Sequence, residues 1–292
     1  MRSIAAGDPR HFQIAVLVAL VAYGIFVLDF EVRPGPAAAI AGAALTVQVL
    51  GCLLTRRPVE LRSAWISTLS LCLLLRTASL ETAVLAGALA IASKFALRVR
   101  GRHVFNPSAF GLAAVLLLRE DAWLSAGQWG SGPLLALATA CAGSLVLRRA
   151  QRSDVTWVFL GAYAALLFGR ALWLGDPLAI PMHALESGAF LIFAFFMISD
   201  PRTTPDARAG RVVFAGLVAG LGFLIRFGLY ETNGLLWSLV LCAPLVPLLD
   251  WWWPGRRAVG SDPARKRFRL PGGEHAIENE LDPDLPGLAP VR

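Results

Sequence analysis

The stretch TAVLAGALAIASKFALRVRGRHVFNPSAFGLAAVLLL, residues 82–118, decides the fold. An apolar run over 82–97 carries Lys94 near its end, a short basic connection follows, and a second apolar run opens at Asn106-Pro107. Asn is a good helix cap and Pro suits the first helical turn, so the connection separates two helices. A helix that crosses the hydrocarbon layer needs about 20 mostly apolar residues. The quoted stretch therefore reads as one membrane span, a charged loop and the start of another.

The pattern repeats in both directions. Apolar segments lie at 12–30, 36–54, 63–75, 82–97, 105–118, 132–147, 155–174, 183–199, 211–229 and 234–250, which predicts ten spans. The third and fifth are short, as half-helices that end inside a bundle are. Composition agrees: of 292 residues 56% are hydrophobic and 16% charged, and the mean hydropathy is +0.61. Soluble domains carry about 25% charged residues. The expected partner of this surface is the lipid bilayer.

The net charge of +7 does not point to nucleic acid, because the basic residues sit in alternate loops. One set of connections holds Arg2 and Arg10, then Arg56, Arg57 and Arg62, then Lys94, Arg98, Arg100 and Arg102. The same set continues with Arg148, Arg149 and Arg152, with Arg202, Arg208 and Arg211, and with the basic tail after Trp253. The other connections hold only Arg33, Arg76 and Arg119, while Arg170 and Arg226 lie within spans. Positive loops face the cytoplasm, which places both termini there, in the inner (cytoplasmic) membrane. Trp65, Trp157 and Trp251 to Trp253 at one set of span ends, and Trp123, Trp129, Trp173 and Trp237 at the other, suit headgroup anchors.

Residues 1–253 thus read as one transmembrane domain and 254–292, rich in Pro, Gly and charge, as a disordered cytoplasmic tail. The first segment reads as a retained helix, because Asp29-Phe30-Glu31 is unlike a cleavage site. Cys52, Cys72, Cys141 and Cys242 lie in apolar runs without a C-x-x-C pair, and the four histidines offer no facing pair, so no metal or haem is expected. Ten spans divide into five and five, and an odd number inverts the second half, so the chain is expected to be a 5+5 inverted-topology repeat. The third span, ending at Arg76-Thr77, then matches the eighth, ending at Ser199-Asp200.

Two loops on the cytoplasmic side concentrate polar chemistry. Lys94, Arg98, Arg102, His103 and Asn106 cluster in the first, where a helix start adds open N–H donors that favour anions or carbonyl-rich rings. Asp200, Arg202, Thr203 and Thr204 follow the eighth span in the second. Asp200 is suited to pair with Arg202, Lys94 or Arg98, or to accept the N3–H of a flavin ring. Topology signals and a simple salt-bridged loop are the plainer account, but a lysine inside the end of an apolar helix is costly unless used. Arg170 near Trp173 and Asp176 snorkels, and Arg226 needs a partner such as Glu186 or Glu231.

Ser93-Lys94-Phe95, Gly101-Arg102-His103-Val104-Phe105-Asn106-Pro107 and Phe196-Met197-Ile198-Ser199-Asp200-Pro201 resemble the signatures of the NqrB/RnfD family. Asp8-Pro9-Arg10-His11-Phe12-Gln13-Ile14-Ala15 and Thr232-Asn233-Gly234-Leu235-Leu236-Trp237 are similar to its shorter, UnbU-type branch. The resemblance implies an inverted-repeat membrane subunit of an electron-transport complex, not a stand-alone enzyme. It further implies redox partner subunits, a quinone link and a flavin, FMN or riboflavin. The family's Ser/Thr-Gly-Ala-Thr attachment run is absent, and Arg202-Thr203-Thr204-Pro205 does not match it, so a flavin here is expected to be non-covalent. The alternative class is a cofactor-free channel or transporter for a small polar or ionic solute.

Overall fold

A computed structural model describes residues 9–29, 32–125 and 153–255. The sixth expected span, Cys141, Trp129 and the tail from 256 lie outside them. The elements are α1 (Pro9–Phe26), α2 (Pro34–Leu54), α3 (Arg62–Leu74), β1 (Leu75–Arg76), α4 (Leu80–Ala96), β2 (Arg98–Val99), β3 (Arg102–His103), α5 (Pro107–Leu118) and β4 (Trp123–Leu124). Then come α6 (Ser153–Leu174), α7 (Ala179–Glu186), α8 (Gly188–Ile192) running into a π-helix (Phe193–Met197), α9 (Arg208–Gly228), α10 (Gly234–Cys242), a 3₁₀ turn (Ala243–Leu245) and α11 (Val246–Trp252).

By length and apolar composition α2, α6, α9 and the run Gly234–Trp252 are each able to cross a membrane. The bent pair Ala179–Glu186 and Gly188–Met197 passes the same test only when taken together, as a broken span or a re-entrant loop. The segment expected as one helix over 183–199 is therefore broken. Its two parts meet at 55° beside Ser187-Gly188, where a small, flexible pair replaces helix-forming residues. The short segments are short helices: α3 has 13 residues and α5 has 12.

α3 stops because the chain turns extended at Leu75–Arg76, which pairs antiparallel with Trp123–Leu124. α4 starts where the Ser79 side chain accepts the Thr82 N–H at 3.3 Å, with Glu81 in its first turn. The β2–β3 hairpin closes through Arg100 (φ 50°) and Gly101 (φ 83°), the paired positive φ values of a two-residue turn matched to strand twist. The arginine-rich connections gather at one end of the helices, called here the basic end.

α2 packs along α4 and α4 along α5; α6 packs along α9 and α9 along α10. Small residues allow the close approaches. A Cβ on Gly87 of α4 would stand 2.5 Å from the Ile40 carbonyl of α2, and one on Gly234 of α10 would stand 2.7 Å from the Gly222 carbonyl of α9. The two packed sets also end alike. Lys94-Phe95-Ala96 closes α4 with the ammonium 6.0 Å from the neighbouring ring, and Arg226-Phe227-Gly228 closes α9 with the guanidinium 5.6 Å from its ring. Asn106 and Asn233 then stand at the N-caps of α5 and α10.

Candidate functional site

The basic end brings the two polar loops together through one side chain. Arg102, on β3, donates from Nε to the Arg202 carbonyl at 3.1 Å and from Nη2 to the Pro201 and Thr204 carbonyls at 3.3 and 2.6 Å. Its Nη1 pairs with Asp206 at 2.9 Å and Asp250 at 3.3 Å. Only an arginine can satisfy this many acceptors from one planar group. Arg102 is thus committed to holding the 201–206 loop and α11 against the hairpin. Asp250 also accepts the Asp206 N–H at 2.6 Å, and Arg211 ties the same loop to Asp154 of α6.

Asn106 is committed as well. Its Oδ1 caps α5 by accepting from the Ala109 N–H (3.2 Å) and the Ser108 hydroxyl (2.7 Å), and its Nδ2 donates to the Met197 carbonyl at 3.2 Å. That carbonyl belongs to the π-helix, a wide turn that is rare and occurs mostly as a single turn. The Thr156 hydroxyl donates to the Ala194 carbonyl at 2.8 Å, and that of Ser199 to the Phe195 carbonyl at 2.5 Å. The N-terminus of α5 is buried and capped, so it does not present the open amides that its sequence suggests.

Lys94 is 5% exposed, held by Gln48 Oε1 at 2.6 Å and Ser63 Oγ at 2.9 Å. Among the described residues these neutral oxygens are its hydrogen-bond partners, and no carboxylate lies within ion-pair distance. Arg98 curls back, donating to the Lys94 carbonyl at 3.4 Å and to the Gly101 carbonyl. The Thr203 and Thr204 hydroxyls donate to the Asp200 carbonyl at 3.4 and 3.1 Å and are buried. Neither threonine is presented for attachment to a phosphate.

Asp200 does not pair with Arg202, Lys94 or Arg98 as the sequence suggests. One carboxylate oxygen accepts the Arg202 backbone N–H at 2.9 Å, and the other faces His103 Nε2 at 3.9 Å. His103 is 5% exposed and its Nε2 has no hydrogen-bond partner among the described residues. Burial draws the His103 pKa below its ordinary value, against the opposing pull of Asp200, so the ring is neutral at pH 7. Burial alone would raise the Asp200 carboxyl, but His103 and the Arg202 N–H outweigh it and bring the pKa to about 2. Arg202 is close enough for its charge to act on Lys94, His103 and Asp200 alike.

Of the residues singled out from sequence, Lys94, His103, Asp200 and Arg202 form one polar group, while Arg102, Asn106, Thr203 and Thr204 build its frame. Sequence reasoning missed Gln48, Ser63 and Asp250. Gln48 had left a signal, being a lone amide within the apolar run 36–54. Among the described residues no group of His, Cys, Asp and Glu is arranged to hold a metal. Cys52, Cys72 and Cys242 are buried free thiols. At the far end Arg170 pairs with Asp176 at 3.2 Å and lies over the Phe227 ring at 4.6 Å, while Arg226 is exposed.

Residues 124–258 match the model of the NQR2, RnfD, RnfE family. The RnfD protein of the ion-translocating oxidoreductase complex of Tolumonas auensis is 49% identical over 73 residues, 25% of this chain and 21% of that protein. Its counterpart in Escherichia coli O7:K1 is 33% identical over 132 residues, 45% of this chain and 33% of that protein. Citrobacter koseri has an RnfD with the same 33% identity and coverage. The matched region spans a third or less of these relatives' own length.

Proposed function

We propose that this chain, which over residues 124–258 belongs to the NQR2, RnfD, RnfE family, is a membrane subunit of an electron-transport complex that holds a non-covalent flavin at its basic end. The observation that carries the reading is the group Lys94, His103, Asp200 and Arg202, drawn from two distant loops and left with donor and acceptor capacity that the fold does not use. A buried imidazole nitrogen without a partner is costly unless a ligand or water completes it. The donor set fits a flavin: Lys94 and Arg202 favour an electron-rich ring or a phosphate, and Asp200 accepts from a ring N–H. The flavin supplies one- and two-electron redox chemistry; the chain binds it, orients it and sets the charge around it.

The same reading places the basic end in the cytoplasm and the chain in the inner membrane as a ten-span, 5+5 inverted repeat with other redox subunits beside it. Supporting the repeat, α2, α4 and α5 pack in the same sequence as α6, α9 and α10. Their third-from-last basic residues, Lys94 and Arg226, then fall at opposite ends of the helices, as inversion requires. A quinone is the acceptor this arrangement suggests.

The test is the visible spectrum of the detergent-purified full chain, with mass determination of any released chromophore. An oxidised-flavin band that is lost on denaturation and filtration is expected. A colourless, monodisperse protein that takes up no added flavin would contradict the proposal. A second reading, a solute channel, draws on α3, where Ser67, Thr68 and Ser70 are buried in an apolar bundle and the Thr68 hydroxyl has no partner among the described residues. Solute flux in liposomes with no bound chromophore would favour it.

A further inference from the structure

The basic end carries a second cluster, made of guanidinium groups, which shares only Arg202 with the group proposed to hold a flavin. Arg57 follows α2, Arg98 lies on β2 and Arg202 follows the π-helix, so the three come from separate elements. Burial first, then the like charges of Arg57 and Arg202, lowers the Arg98 pKa from its ordinary value. Burial first and then Arg10 lower that of Arg202, Asp200 and Glu60 oppose them, and Arg57 adds to the lowering.

The nearby carboxylates are already engaged. Glu60 pairs with Arg10 and, at 3.4 Å, with Arg62. Asp200 accepts the Arg202 backbone N–H and faces His103. Among the described residues no carboxylate stands within ion-pair distance of Arg57, Arg98 or Arg202, and the half-buried Arg202 guanidinium has no hydrogen-bond partner there. Five N–H donors on a partly desolvated cation call for acceptors.

The backbone fixes where the cluster stands. α2 ends with the Arg56 N–H donating to the Leu53 carbonyl at 3.1 Å and the Arg57 N–H to the Cys52 carbonyl at 2.9 Å, the paired bonds of a Schellman cap. Arg98 is held by the Lys94 and Gly101 carbonyls. The surface beside these arginines is apolar: Leu53 and Leu54 precede Arg57, Leu97 and Val99 flank Arg98, and all four are exposed. Cationic side chains interleaved with exposed apolar ones suit the boundary between headgroups and acyl chains. A soluble anion would use the arginines and leave the leucines bare, whereas a phospholipid uses both.

We propose that Arg57, Arg98 and Arg202 form a binding site for an anionic phospholipid, its phosphate among the three guanidinium groups and its acyl chains along Leu53 and Leu54. Arginine meets phosphate oxygens through paired N–H donors. A bound phosphodiester offsets the mutual repulsion of the cluster and supplies acceptors that the described residues do not. The site does not depend on a bound flavin, because Arg57 and Arg98 lie outside the group proposed to hold one.

The test titrates the full chain, delipidated in detergent, with dioleoyl-phosphatidylglycerol, dioleoyl-phosphatidylcholine or inorganic phosphate, and counts bound copies by native mass spectrometry. Phosphatidylglycerol is expected to bind about tenfold more tightly than phosphatidylcholine, the scale of a few arginines acting on one headgroup. Arg57→Gln combined with Arg98→Gln should abolish that preference, and Arg57→Gln alone, at an exposed position, should reduce it. Arg100→Gln combined with Arg208→Gln removes the same charge from other exposed positions at this end and should leave the preference intact. Gel filtration and melting temperature identify variants that fail to fold, and the wild-type series stands without them. Equal binding of the two lipids, or equal loss of preference in the two double variants, would overturn the site in favour of diffuse surface charge. Displacement of phosphatidylglycerol by millimolar inorganic phosphate would overturn the assignment to a lipid.

Discussion

The two ends of the helices each carry a carboxylate surrounded by donors, and they differ in how completely it is used. Away from the basic end, Asp121 accepts from the Thr77 hydroxyl at 2.9 Å, from the Thr82 hydroxyl at 2.9 Å on both oxygens, and from Arg119 at 3.3 Å. The Thr82 hydroxyl first, then Thr77 and Arg119, hold the Asp121 pKa below the ordinary carboxylate value. At the basic end Asp200 has one oxygen engaged by backbone and one facing an unsatisfied histidine. The first arrangement ties the β1–β4 pairing and the start of α4 together and leaves both carboxylate oxygens occupied. The second leaves an acceptor and a donor for something else. A polar cluster in a membrane protein thus points to a ligand through what its own fold leaves unmet, and not through charge density.

That contrast can be broken most forcefully at Arg102. Its side chain is 15% exposed, and Arg102→Ala removes the guanidinium that Asp206, Asp250 and three carbonyls share. A loss of about 3–5 kcal/mol is expected from removing one partner of such a buried pair, read as the unfolding midpoint in detergent. Arg102→Lys should recover little, because an ammonium cannot reach both loop carbonyls and both carboxylates.

Asp200 comes next. With a folded pKa of about 2 against an ordinary 3.8, its ionised form contributes about 2 kcal/mol. Because the folded value is the lower one, that contribution is complete above the ordinary value and is lost as pH falls through about 2. Asp200→Asn should lower stability at pH 7 and flatten the fall between pH ~4 and ~2. His103 has the same sign: burial depresses its folded pKa, so its share of stability is complete above about 6.5 and declines as pH drops below it. His103→Gln should remove that decline from a series of melting temperatures.

Smaller effects sharpen the contrast. Gly101 holds φ 83° at the hairpin tip with nothing near its Cβ position, so Gly101→Ala should cost about 1 kcal/mol through backbone strain alone. Asp121→Asn should lower the melting temperature while leaving flavin affinity unchanged. A parallel loss of affinity would mean that the two clusters are coupled.

Much of this arrangement was legible in the sequence. Among the described residues the apolar segments fall on helices, though 183–199 is broken at Ser187-Gly188, and Asn106-Pro107 announced the start of α5. The short segments 63–75 and 105–118 are short helices. The polar group was visible as two loops, though not how its members divide. Arg102 looked like a ligand residue and is a clamp, because its acceptors lie about a hundred positions away and no local pattern encodes them. Lys94 stood out as a buried charge, but its partners Gln48 and Ser63 come from two other helices. The π-helix was not legible either. Two of its carbonyls are met from distant parts of the chain, by Thr156 and Asn106, which no local pattern encodes, and a third locally by Ser199 four residues on.

The proposed topology puts the open cluster and the closed one on opposite sides of a bilayer, the open one toward the cytoplasm. Single-cysteine chains carrying Arg100→Cys at the hairpin tip or Glu120→Cys beside Asp121, treated with a membrane-impermeant thiol reagent, test it directly. Glu120→Cys should label in right-side-out membranes, and Arg100→Cys only once the membranes are inverted. Labelling of both positions from the same side would contradict the account.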